Sequence, residues 1–250
     1  MEESSGRKLH KEASIAREKG DFLKALQLSD EALIAYQSDK DYSGFAEILA
    51  ERSLNLRHLA QTLEDNNFLS VAKGEMSASV EVARSLNSDE ALVQPLFNLA
   101  KVLEDLGENE NAVQSYRETV SKGEITLSKT KPAALADIKL HLAVCEFKNG
   151  NRSSLERAEQ ALLDLQNAQS QSDYDHKDSS YNDLDFYPSS ESYNLKVWVS
   201  GAHMKLAEIL REVDLEKAKH HLEEAKKVLD TDERLILRFK QWQKLAAKFS

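Results

Sequence analysis

The sequence predicts an all-α protein, an array of about five helical hairpins closed by a C-terminal capping helix. Three observations predict it. Helix breakers are scarce, with 8 glycines and 3 prolines in 250 residues, whereas the strong helix formers alanine, leucine, glutamate and lysine are abundant. Stretches of the chain resemble one another at a beat of 40–47 residues. Apolar residues recur at helical spacing, as in Leu56, Leu59 and Leu63 or Leu96, Leu99 and Leu103. A hydrophobic content of 41% beside 30% charged residues predicts a folded chain rather than a disordered one.

The repeats set the element order. Residues 12–33, 59–80, 99–120 and 142–163 align, and 206–229 is a weaker fifth copy. Each reads as the end of one helix, a tight turn rich in Gly, Asn or Asp, and a second helix. Ala13, Ala60, Ala100, Ala143 and Ala207 correspond in the first helices, at spacings of 47, 40, 43 and 64. Ala25, Ala72, Ala112, Ser154 and Ala218 correspond in the second, at spacings of 47, 40, 42 and 64. Small residues at such positions let two helices approach closely where their ridges and grooves interlock. Met76, Tyr116 and Leu222 fill matching large positions around them.

Local signals place the boundaries. Asn87, Ser88 or Asp89 can cap a helix, and Pro132 stands where a helix starts without losing a hydrogen bond. Asp230 to Asp232 precede the last helix, expected within 233–249. Its Leu235, Phe239, Trp242, Ala246 and Phe249 form one apolar stripe suited to closing the bare end of an array.

The turns "GDF", "NNF" and "GEN", each framed by small residues and a large or aromatic one, resemble the tetratricopeptide repeat (TPR). The best copy runs from Gly20 to Leu33, and the resemblance covers roughly residues 7–230. It implies a single right-handed α-solenoid. The beat exceeds the usual ~34 residues and is similar to the extended repeats of kinesin light chain. Leu9, Leu56 and Leu96 replace the family's tryptophan, and the closing proline is largely absent.

Chemistry is harder to find. Seven histidines form no HExxH motif, and adjacent His220 and His221 point about 100° apart on a helix, so they cannot chelate together. The single cysteine, Cys145, sits late in a predicted helix, where a buried packing role is expected rather than a reactive thiol. Ser70 to Lys73 fit Ser-x-x-Lys without the partner motifs of an acyl-enzyme. No phosphate loop or dinucleotide fingerprint occurs. Neither an enzyme, a cofactor nor a metal is expected. The N-terminus lacks a secretory h-region and no apolar run reaches membrane length, so a cytoplasmic protein is expected.

That leaves binding. The resemblance implies that ligand residues fall on each first helix, on the face turned from its partner. Here those positions are Arg7, His10, Ser14 and Arg17; Arg57, Gln61 and Glu64; Gln94, Phe97, Lys101 and Glu104; and Met204, Glu208 and Arg211. The fourth repeat offers Asp137, Leu140 and Val144. The N-terminal half of this groove is basic. With Phe97 as an apolar anchor it suits a peptide carrying carboxylates. The expected function is a protein- or peptide-binding scaffold or adaptor. The alternatives are a peptide-sensing regulatory protein and an RNA-binding helical repeat. Net charge −10 and a pI near 5.3 count against the last.

The final spacing of 64 exceeds the others by about 20 residues, which coincide with 170–192. This acidic stretch is expected to be a mobile insertion between repeats four and five. It carries −5 over 171–192, against +5 over 234–250. An EF-hand starting at Asp173 fails, because Lys177, Asp178 and Leu184 occupy the positions that need an oxygen ligand, glycine and glutamate. A looser carboxylate site of Asp173, Asp175 and Asp178 stays open, and so does a competing fold-over of Tyr174, Tyr181 and Tyr187 onto the groove.

Overall fold

The computed structural model describes residues 4–175 and 191–249. Among them are eleven α-helices and no strand. They are α1 (Ser5–Glu18), α2 (Phe22–Asp39), α3 (Tyr42–Leu63), α4 (Asn67–Ser85), α5 (Asp89–Asp105), α6 (Asn109–Thr126), α7 (Pro132–Lys148), α8 (Ser154–Asp175), α9 (Glu191–Leu210), α10 (Leu215–Leu229) and α11 (Ile236–Ala246). A 3₁₀ turn, Ala247–Phe249, follows α11. Helices α1 to α10 pack in consecutive antiparallel pairs at the five positions the repeats predict. The helices gather into two compact units, Met1–Thr130 and Lys131–Ser250. Unit one holds the first three hairpins; unit two holds the last two and α11.

Caps explain where helices begin. Ser4, Asp21, Asp41, Ser88 and Asp214 each accept a hydrogen bond from a backbone N–H of the first turn, satisfying a donor that has no partner inside the helix. Of the three candidates before α5, Ser88 is the cap; Pro132 opens α7. The hairpin turns share a mechanism. At Gly20, Gly107 and Gly150 φ is +80°, +75° and +92°. In each, the glycine N–H and the next N–H bond back three and five residues, a Schellman closure. In the second hairpin Glu64 takes the left-handed position, at φ +56°.

The small residues lie where the alignment puts them. Ala13, Ala25, Ala60, Ala72, Ala100, Ala112, Ala143, Ser154, Ala207 and Ala218 are all buried. Close approach even lets second-helix hydroxyls reach first-helix carbonyls. Ser154 donates to Ala143 O at 2.8 Å, Ser79 to Ala46 O at 2.7 Å and Ser115 to Leu96 O at 3.0 Å.

In unit one, Tyr36, Ile48, Met76, Leu96, Val102 and Tyr116 are fully enclosed. Unit two is built on Leu140, Leu165, Leu195, Leu206 and Leu210, with α7 buried on nearly every side. The α11 stripe packs on α9 and α10. Leu235 is buried, Phe239 and Trp242 pack on Tyr193 and Leu229, and Phe249 joins the larger cluster. Trp242 Nε1 donates to Leu222 O at 2.9 Å.

Of the acidic stretch 170–192, residues up to Asp175 continue α8 and Glu191 opens α9. Residues 176–190, with Asp178, Tyr181 and Tyr187, lie outside the described residues, and so do the side chains of Asp173, Tyr174 and Asp175.

Candidate functional site

In unit one α1, α3 and α5 lie side by side, and the nominated side chains sit on or between them. Arg7 donates to Glu47 at 2.5 Å and to Asp41 at 3.2 Å, with its guanidinium 5.3 Å from the Tyr36 ring centroid. Burial draws the Arg7 pKa down, but Glu47 and Asp41 outweigh it and hold it above its ordinary value. His10 Nδ1 lies 3.2 Å from the Tyr36 hydroxyl, and burial lowers the His10 pKa. Arg17 donates to Glu51 at 2.8 Å and pairs with Glu18 at 2.6 Å. Arg57 grips Asp105 through Nε and Nη2, at 2.7 and 3.2 Å, and Gln61 donates to the same carboxylate at 2.9 Å. Burial pulls the Arg57 pKa down, but the Asp105 charge and hydrogen bonds prevail and raise it.

These contacts change the electrostatics expected of the face. Each of the three arginines is matched by a carboxylate on the next first helix or at its cap. They are straps between α1 and α3 and between α3 and α5, not an open cationic cleft. A ligand carboxylate would have to displace Glu47, Glu51 or Asp105 to use them. The signal was present in the sequence: Arg7 and Glu47 stand 40 residues apart and Arg57 and Asp105 stand 48 apart, close to the repeat beat.

Phe97 does not project as an anchor. It is buried, 6.0 Å from the Tyr116 ring, and Lys101 Nζ lies over it at 3.8 Å. Tyr116 in turn donates to Glu104 at 3.0 Å. Ser14, Gln61 and Lys101 are half-buried, and Gln94 and Glu64 are exposed. Sequence reasoning missed Asn55 on α3. It is fully buried, and neither end of its carboxamide has a hydrogen-bond partner among the described residues.

The unit-two positions are covered or paired within that unit. Asp137, Leu140, Val144 and Met204 are buried, so they present nothing to a ligand. Glu208 accepts from Lys148 of α7 at 3.2 Å, and Arg211 pairs with Glu212 at 3.0 Å. Among the described residues no group of three His, Cys, Asp or Glu side chains is arranged to hold a metal ion, and no helix is long and apolar enough to cross a membrane.

No family model matches the sequence, and no curated protein does so either. Solved structures do match. A Rap protein in complex with competence and sporulation factor superposes with a TM-score of 0.61 at 15% identity, over 98% of this chain and 56% of that one. BtubC (BKLC) from P. vanneervenii gives 0.55 at 19% identity, over 88% and 77%. A Podosopora anserina protein described as having nearly identical TPR-like repeats of kinesin light chain type gives 0.51 at 14%, over 91% and 96%. This likeness identifies the fold, a TPR-like α-solenoid of helical hairpins.

Proposed function

We propose that the chain is a protein- or peptide-binding scaffold and that its ligand lies along the first-helix face of unit one, over Ser14, Gln61, Gln94 and Lys101. The carrying observation is the set of straps Arg7–Glu47, Arg17–Glu51 and Arg57–Asp105, which hold three helices in one face before any ligand arrives. A face ordered in advance loses less entropy on binding. The likeness to a Rap protein solved with competence and sporulation factor supports this class of ligand. Because the arginines and Gln61 already hold carboxylates, the ligand is expected to hydrogen-bond the exposed Gln94 and to offer few carboxylates.

The test is selection of a phage-displayed random dodecapeptide library on the full chain, followed by calorimetry of the recovered peptides. Gln94→Arg is expected to weaken binding about tenfold or more, as a change at the centre of a contact does. Glu208→Arg, in unit two, is expected to leave affinity unchanged. Recovery of no peptide, or sensitivity only to Glu208→Arg, overturns the proposal. Binding of random RNA that weakens steeply with salt would point to the nucleic-acid alternative.

A further inference from the structure

Two buried histidines meet in unit two, and the face described above uses neither. His203 of α9 and His221 of α10 approach Nδ1 to Nδ1 at 3.0 Å. From α8, the Gln166 side-chain amide nitrogen stands 3.2 Å from His203 Nε2. The other nitrogen of His221, Nε2, is buried with no hydrogen-bond partner among the described residues. Three helices therefore converge on one imidazole pair.

The contact dictates its own protonation state. For one Nδ1 to donate to the other, one must carry hydrogen and the other must not. A proton added to the accepting Nδ1 places two N–H groups face to face and removes the bond. With the Gln166 amide nitrogen donating to a bare His203 Nε2, the neutral pair carries its hydrogens on His203 Nδ1 and His221 Nε2. A further proton has only His221 Nδ1 or His203 Nε2 to go to, both already accepting, and it makes a buried cation. A proton on His203 Nε2 is tolerated only if the Gln166 amide turns its oxygen inward. One proton thus strains the site and two put like charges in contact. We propose that the His203–His221 pair is an acid-operated latch that closes α9 and α10 on α8 while both rings are neutral and releases them when the pair is protonated.

The surroundings favour the neutral state. Burial is the main influence on both histidines, and each pKa is pushed down to about 4. His220 and Lys217 of α10 oppose a further positive charge, whereas Glu224 of α10 and Glu159 of α8 favour one but do not prevail. Glu224 is itself engaged by Lys227. Of the other helices on α9, α7 brings Lys148 to Glu208, and α11 brings Arg238 over Gly201. In the unfolded chain a histidine titrates near 6.5. Between about 4 and 6.5 the unfolded state therefore binds more protons. Stability is complete above that window and is lost as pH falls through it.

The inference does not depend on the ligand proposed above. Both tryptophans of the chain, Trp198 and Trp242, belong to unit two, so fluorescence excited selectively in tryptophan reports that unit. Urea unfolding of the full chain, followed by fluorescence from pH 7.5 to 4, is expected to show a midpoint that is flat above 6.5 and falls below it. The folded-to-unfolded ratio should drop by up to about tenfold per pH unit for each histidine. The window from 6.5 to 5 lies above most carboxylate titrations. Hydrogen exchange of α1–α6 serves as the unit-one control. The double variant His203→Gln/His221→Met is expected to lose most of this fall. Should it fail to fold, NMR titration of the wild-type imidazole signals decides, since both rings must stay neutral below pH 6. A midpoint unchanged from 6.5 to 5, a double variant with the wild-type slope, or either ring titrating near 6.5 in the folded protein overturns the latch.

Discussion

At Gly44 a hydrogen stands where a methyl group would strike the ring of Tyr36, and Gly6 of α1 closes the other side of that ring. Tyr36 is fully buried, so it has nowhere to retreat. Gly→Ala inside a helix usually gains about 0.5–1 kcal/mol, but overpacking a core costs about 1–3. The second effect prevails here. Gly44→Ala is expected to lower stability by about 1–2 kcal/mol in urea unfolding followed by circular dichroism. Asn55 predicts the opposite sign. A buried carboxamide with neither end partnered carries a desolvation cost of about 1–3 kcal/mol. Asn55→Leu is therefore expected to raise the thermal midpoint of unit one by several degrees. Glu64 is a third case. In the left-handed conformation a residue with a Cβ is strained by about 1–2 kcal/mol, and three of the other hairpin turns place glycine there. Glu64→Gly is expected to be stabilising in the same measurement.

Helices in this protein are joined by straps as well as by packing. The Arg57–Asp105 bond joins α3 to α5 with both side chains mostly covered, at 16% and 22% exposure. Removing one member of a well-buried pair costs about 3–5 kcal/mol, because the other charge is left behind. Partial exposure reduces this to about 2 kcal/mol for Arg57→Ala. The paired change Arg57→Met/Asp105→Leu removes both charges and is expected to recover most of the loss, which a double-mutant cycle measures. If the double variant is as unstable as the single one, the strap is not the source of the effect. The terminal helix α11 has no fully buried residue of its own, yet it covers Leu235, Tyr193 and Leu229. Its contribution rests on Phe239 and Trp242.

Over the whole chain, most packing is between helices adjacent in sequence. Within unit one α3 touches α1, α2, α4 and α5, whereas α1 touches α2 and α3. Stability in such arrays is close to a sum of hairpin and nearest-neighbour terms. Native-state hydrogen exchange is therefore expected to show graded protection in unit one, highest in α3 and lowest in α1. One uniform opening energy across α1–α6 would contradict this. The charge distribution follows a similar rule. The chain carries a net −10, but the α1, α3 and α5 face is internally matched.

The sequence by itself determined the hairpins. Helix scarcity of Gly and Pro, the alanine series and the capping residues act within one helix or one turn. Such local interactions recur wherever the pattern recurs, so Ala13 with Ala25 and Ala100 with Ala112 could be placed from spacing alone. The apolar stripe of α11 was legible for the same reason. The binding face was legible only as a set of positions. Periodicity gives the side of a helix on which Arg57 or Phe97 lies. It does not say which charge stands opposite, or whether a neighbouring lysine lies over the ring. Those outcomes depend on the rotation and offset of one helix against the next, and a shift of one turn exchanges every partner. Only the tertiary structure decided that Arg7, Arg17 and Arg57 are straps and that Phe97 is enclosed. It alone buried Asn55 without a partner and brought His203 and His221 into contact across a hairpin.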